Sequence, residues 1–175
     1  MTKHTIVALV EDKPGVLNRM ASLFRRRGFN IESIAVGRSE TPGQSRMTFV
    51  VDGAAATVEQ VRKQLDKVIE VVKVSDISGE DIVSRELALI KVRATSQTRS
   101  EIIQIVDIFR AGIVDVSPDS MTIEVTGDED KISSLLDLLR GFGIREVART
   151  GTIAMTRGVS GPVLPEKRSR VENKT

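Results

Sequence analysis

The chain has 175 residues, 40% hydrophobic and 29% charged, a balance suited to one large or two small globular domains and unlike that of a disordered chain. It has no cysteine and a single histidine, His4, which excludes disulfides, thiolate metal sites and cysteine nucleophiles. Of its 26 basic and 24 acidic residues, four and two respectively lie in residues 158–175, so residues 1–157 carry 22 of each sign and the basic character belongs to the end of the chain.

Thr5-Ile6-Val7-Ala8-Leu9-Val10 is a short, β-branched apolar run and predicts a buried strand. Asp12-Lys13-Pro14-Gly15 breaks it, and Val16, Met20 and Phe24 then recur every four residues as the stripe of an amphipathic helix, closed by Gly28 as a C-cap glycine. Ile31 to Arg38 predicts a strand, Thr41-Pro42-Gly43-Gln44 a turn and Met47 to Val51 the next strand. Val58, Val61 and Leu65 mark a second helix, and Val68 to Val74 a fourth strand. After the polar linker Ser78-Gly79-Glu80-Asp81 the order repeats. It runs through a strand at Leu87–Val92, a helix at Glu101–Phe109, strands at Ile113–Val116 and Met121–Val125, a helix around Ile132–Leu139, and a closing strand at Ile144–Met155.

Two successive βαββαβ patterns predict an α+β protein of two ferredoxin-like domains, at residues 4–78 and 83–157, each an antiparallel sheet with helices on one face. Residues 158–175 have no hydrophobic period and are expected to be a disordered tail. Domains of this size bury modest cores and leave strand edges in need of cover, so a homodimer is expected.

Several activities are excluded by what the sequence lacks. There is no Walker phosphate loop, no G-x-G-x-x-G after a strand, no H-E-x-x-H and no G-x-S-x-G. Glu11-Asp12, Glu80-Asp81 and Asp128-Glu129-Asp130 fall at turns or helix starts, where acids suit the helix dipole better than acid–base chemistry. His4, ahead of the first strand, is expected at the surface. Arg25-Arg26-Arg27 reads as a solvated last helical turn. A neutral body with five Phe as its only aromatics argues against nucleic acid as a partner. No apolar run reaches the roughly 20 residues of a membrane span, and Met1-Thr2-Lys3-His4 lacks the pattern of a secretory signal. The expectation is a cytoplasmic protein without membrane or metal, and without catalysis of its own.

One stretch carries chemistry, Glu11-Asp12-Lys13-Pro14-Gly15-Val16-Leu17. Its plain reading is a strand-to-helix loop with Asp12 as the cap and Pro14-Gly15 as shape-makers. Its functional reading is a small zwitterion site. Bare N–H groups at the helix start hold a carboxylate, Gly15 allows close approach, and Asp12 faces an ammonium group.

Val10 to Leu17, Arg26-Arg27-Gly28-Phe29-Asn30-Ile31-Glu32-Ser33 and Ser45-Arg46-Met47-Thr48 resemble the regulatory small subunit of acetolactate (acetohydroxyacid) synthase. Ser84 to Val92, Ile113-Val114-Asp115-Val116-Ser117-Pro118 and Gly143 to Gly151 resemble its second half, so the resemblance spans roughly residues 4–158. It implies that the first domain is an ACT domain, and that a dimer docks on a large catalytic subunit making 2-acetolactate from pyruvate. It implies thiamine diphosphate, Mg and FAD on that partner, and no cofactor is expected on this chain. It implies activation of the partner and inhibition by valine, in some family members by leucine or isoleucine too. The effector would lie between two ACT domains, against Asp12, Gly15, Val16 and Leu17 of one and Asn30 and Ile31 of its mate. Some family members carry Asn where this chain has Asp12. Thr95-Ser96-Gln97-Thr98 replaces the Pro-Gly loop in the second half, so the second domain is not expected to bind effector in the same way. Apart from that resemblance, the residues also suit a freestanding amino-acid sensor, or an RNA-binding βαββαβ protein, although the latter lacks the sheet aromatics it would need.

Overall fold

A computed structural model describes residues 2–158; the expected disordered tail, save Gly158, lies outside the described residues. The first unit runs β1 (Thr2–Glu11), α1 (Val16–Arg26), β2 (Asn30–Arg38), β3 (Gln44–Gly53), α2 (Ala55–Leu65) and β4 (Val71–Asp76). The second runs β5 (Ile82–Arg93), α3 (Arg99–Ile108), β6 (Gly112–Ser117), β7 (Ser120–Gly127), α4 (Glu129–Leu139) and β8 (Ile144–Arg149), followed by a short β9 (Ile153–Thr156). Both sheets are antiparallel and share one order: β2-β3-β1-β4 in the first and β6-β7-β5-β8 in the second. The fold is therefore α+β with two ferredoxin-like units.

Each unit has its own core. In the first, Ile6, Ala8 and Val10 of β1 meet Val16, Met20 and Phe24 of α1 and Val58, Val61 and Leu65 of α2, all nearly inaccessible. Side chains of this size stabilise by about 1.5–3 kcal/mol each when fully buried. In the second, Ala88, Ile90 and Val92 of β5 pack on Ile102 and Val106 of α3 and on Ile132, Leu135 and Leu139 of α4. Helix ends follow the sequence. Gly28 at φ +72° ends α1, with Phe29 N–H bonded to the Phe24 carbonyl and Gly28 N–H to that of Arg25, the two bonds of a Schellman end. Asp128 caps α4, accepting from Lys131 N–H at 2.9 Å.

A third, smaller cluster joins the units. Val7 points away from the helices of the first unit and is still buried, because Ile77, Ala154 and the half-buried Ile82 cover it. This is why β1 reads as an unbroken apolar run and not as an alternating one. Arg46 Nη2 donates to the Ala154 carbonyl at 2.8 Å, Thr152 N–H donates to Ser33 Oγ at 2.7 Å, and Lys3 bonds Glu129 at 2.7 Å across the same junction.

Four expectations need correction. The fourth strand begins at Val71, since Lys67, Val68 and Val71 donate to carbonyls three residues back and make a turn of the stretch before it. The closing segment is two strands: Gly151, at φ +83°, breaks it, β8 pairs with the middle of β5, and β9 pairs with Ile82–Arg85 at its start. That second pairing extends β5 back to Ile82. His4 is not a surface residue. It shares the helix-facing side of β1 with Ile6, is 7% exposed, and sets Nδ1 3.1 Å from Asp76 Oδ2.

Candidate functional site

The loop between β1 and α1 is shaped by backbone. Gly15 stands just ahead of α1 at φ +85° and ψ −10°, a left-handed conformation that side chains resist, and a Cβ built there would meet nothing within 4 Å. No side chain caps α1. Asp12 is exposed and does not perform the capping role expected of it, because three residues and the left-handed turn separate it from the first helical N–H groups. The start of α1 therefore offers N–H groups without a side-chain acceptor, at the positive end of the helix dipole, beside open space.

The loop is pinned from two sides. Glu11 N–H donates to the Glu70 carbonyl at 2.8 Å, and Asp12 N–H to the Gly43 carbonyl in the β2–β3 turn at 2.9 Å. The Glu70 carboxylate also receives Arg19 Nη1 of α1, at 2.6 and 2.7 Å to its two oxygens. Lys13 pairs with Glu11 at 2.6 Å, and this hydrogen bond raises its pKa. Glu70, Gly43 and Arg19 were not legible as site residues: Glu70 and Gly43 lie far from the loop in sequence, and Arg19, although close to it, sits off the apolar stripe of α1 with no local motif to mark it.

The six expected contact residues fall into two groups. Val16 is buried with its side chain in the core, so only its backbone can face a ligand, whereas Leu17 is 43% exposed at the helix start. Asn30 and Ile31 open β2, beyond the far end of α1, Asn30 exposed and Ile31 half-buried. Eleven helical residues span about 16 Å, so one chain does not bring Asn30 and Ile31 to the loop. β2 is, however, the outermost strand of its sheet.

Among the described residues no three His, Cys, Asp or Glu side chains could hold a metal ion, and no helix is long and apolar enough to cross a membrane.

Residues 6–73 match the family model described as the small-subunit-like ACT domain of acetohydroxyacid synthase, and residues 85–158 that of the small subunit of acetolactate synthase. The chain is 62% identical over 156 residues to a probable acetolactate synthase small subunit of Archaeoglobus fulgidus, covering 89% of this chain and 98% of that one. It is 53% identical over 158 residues to the acetolactate synthase small subunit of Mycobacterium bovis, covering 90% and 94%. The crystal structure of the Thermotoga maritima acetolactate synthase small subunit superposes with a TM-score of 0.83 at 48% identity, over 90% of this chain and 99% of that one. The first unit is thus an ACT domain, and the chain belongs to the acetolactate synthase small-subunit family.

Proposed function

We propose that this chain is the non-catalytic regulatory subunit of an acetolactate synthase. In this reading it activates a thiamine-diphosphate-dependent large subunit and confers feedback inhibition by valine or a related branched-chain amino acid. Thiamine diphosphate, Mg and FAD belong to the large subunit in this reading, and the reaction is carried there.

The effector site is shared by two copies. The observation that carries this is the separation of the two residue groups along α1 together with the outermost position of β2. If two β2 strands pair antiparallel about their midpoint, Ile34, then Asn30 of one lies opposite Arg38 of the other. Arg38 leads into the β2–β3 turn whose Gly43 carbonyl holds Asp12 N–H. The pairing thus carries Asn30 and Ile31 of one copy toward the Asp12–Leu17 loop of the other, and supplies the missing neighbour of the sheet edge. The ligand carboxylate meets the uncapped N–H groups behind Gly15, its ammonium group meets Asp12, and its aliphatic side chain lies against Leu17 and Ile31.

Reconstitution tests the reading. Acetolactate formation by the cognate large subunit is measured with and without this chain, across a panel of amino acids. Activation, with inhibition selective for valine, leucine or isoleucine, is the expected result. Unchanged turnover by the large subunit would overturn it, as would turnover by this chain alone.

A further inference from the structure

We infer that the groove where β9 and the start of β5 meet β2 and β3 is the seat of an aliphatic, acidic segment of the catalytic subunit. This inference rests on the family reading above. The groove has a volume of ≈ 330 Å³ and is lined on the ACT side by Ala35, Val36 and Thr48 and on the other side by Val83, Ile153 and Met155.

The geometry of the β5–β9 ribbon explains why these side chains are not core. Val83 pairs with Met155 and Arg85 with Ile153, so the four share one face of the ribbon, while Ala154 on the other face closes the junction with Val7 and Ile77. Ile153 is 61% and Met155 59% exposed, and Val36 beside them is 48% exposed. Exposed aliphatic side chains gathered in one groove mark a surface meant to be covered.

Charge selects the occupant. Arg38, Arg46 and Arg85 also line the groove, and among the described residues no acidic one does. Arg46 is half-buried and already donates to the Ala154 carbonyl; Arg85 is exposed and spends Nη1 on the Ser84 carbonyl, so its remaining guanidinium N–H groups and those of the exposed Arg38 face carboxylates. The chain's own residues 159–175 are a poor match, with four basic residues against two acidic ones. A groove built by both units also suits a regulatory partner, since its width depends on how the units are docked.

The absence of cysteine makes the test direct, because Met155→Cys supplies one thiol in the full-length chain. Maleimide labelling of this variant is followed with and without saturating catalytic subunit, beside Glu101→Cys on the exposed side of α3. Labelling is expected to slow by at least about tenfold at Met155→Cys in the complex and to stay unchanged at Glu101→Cys. Arg85→Glu should raise the concentration needed to bind the catalytic subunit, read by co-sedimentation, on the order of tenfold or more, with the dimer unaltered.

Protection that grows with the concentration of this chain alone would assign the groove to a second copy and overturn the proposal. Protection lost on deleting residues 159–175 would assign it to the tail, with the same consequence. Equal labelling in free and complexed chain would place the catalytic subunit elsewhere. Binding without activation would remove the regulatory reading and leave the groove standing, whereas no co-sedimentation of the unmodified chain would remove both.

Discussion

Gly15 holds the loop at φ +85°, where any side chain strains the backbone, Asn and Asp least, while the space into which it would project is open. Gly15→Asp places a carboxylate at the helix start, where the effector carboxylate is proposed to bind. Two like charges ~4 Å apart repel by about 1 kcal/mol in water and about 4 kcal/mol at an effective dielectric near 20. The larger figure corresponds to about three orders of magnitude in affinity. Gly15→Asn imposes the same left-handed backbone without the charge. We expect Gly15→Asp to abolish valine inhibition of the reconstituted enzyme while activation persists, and Gly15→Asn to retain a weakened response. Equal loss in both variants would show that shape, not charge, governs the site.

At Asp76 the balance runs against burial. Burial alone would raise its pKa, but hydrogen bonds from the Ser78 hydroxyl and backbone N–H, and from His4, outweigh it and hold the carboxyl below its ordinary 3.8. A carboxylate with a depressed folded pKa contributes stability that is present above its unfolded pKa and is lost as pH falls through the folded value. Asp76→Asn should therefore cost about 1–3 kcal/mol near pH 7, and the difference from the unmodified chain should shrink below about pH 4. Urea denaturation at pH 7 and pH 3 measures this. A difference that is the same at both values would mean that the ionised carboxylate is not the stabilising form.

At the scale of elements, the end of β3 and the start of β2 meet at one close contact. A Cβ on Gly53 would collide with the ring of Phe29, which packs on the core directly before Asn30 and Ile31. Gly53→Ala must push that ring aside, a change that costs about 1–3 kcal/mol in packed surroundings. Because the displaced residue adjoins the proposed effector contacts, the valine concentration for half-inhibition should rise along with the loss of stability. Thermal unfolding and inhibition curves on the same preparation test the link, and a destabilised variant with unaltered inhibition breaks it.

The elements most legible in the sequence were those whose pattern is local. The stripe Val16-Met20-Phe24 with Gly28 behind it specified α1 and its end, and the repeated order of elements specified two units. Where the sequence reading failed, the cause was a partner distant in sequence. His4 is buried because it stands on the helix-facing side of β1 against Asp76 of β4, and β5 begins at Ile82 only because β9 returns to pair with it. The Asp12–Leu17 loop stood out by its Pro-Gly chemistry, but the contacts that fix it, from Glu70 and Gly43, follow no spacing rule.

At the scale of the whole molecule, the two units are joined where the Thr150–Thr152 segment crosses β2. Gly151 lies there at φ +83°, and a Cβ would stand 2.6 Å from the Ile34 carbonyl oxygen and 3.0 Å from Ser33 Oγ. The first of these neighbours is backbone in a paired strand and cannot swing away. Gly151→Ala thus adds a left-handed strain of about 1–2 kcal/mol to a collision that only separation of the units relieves. Separation would break the Thr152–Ser33 hydrogen bond, loosen Ala154 from Val7, and leave both larger cores intact, since neither includes a residue of this segment. The units should then unfold independently. Urea titration should give one cooperative transition for the unmodified chain and two for Gly151→Ala. Ser33→Ala serves as the control: it removes the acceptor without the collision, should cost about 1 kcal/mol, and should keep a single transition. If Gly151→Ala also unfolds in one step at the same midpoint, the close approach at Ile34 does not hold the units together, and the coupling must reside in the Val7–Ile77–Ala154 cluster, the Arg46–Ala154 hydrogen bond and the Lys3–Glu129 pair.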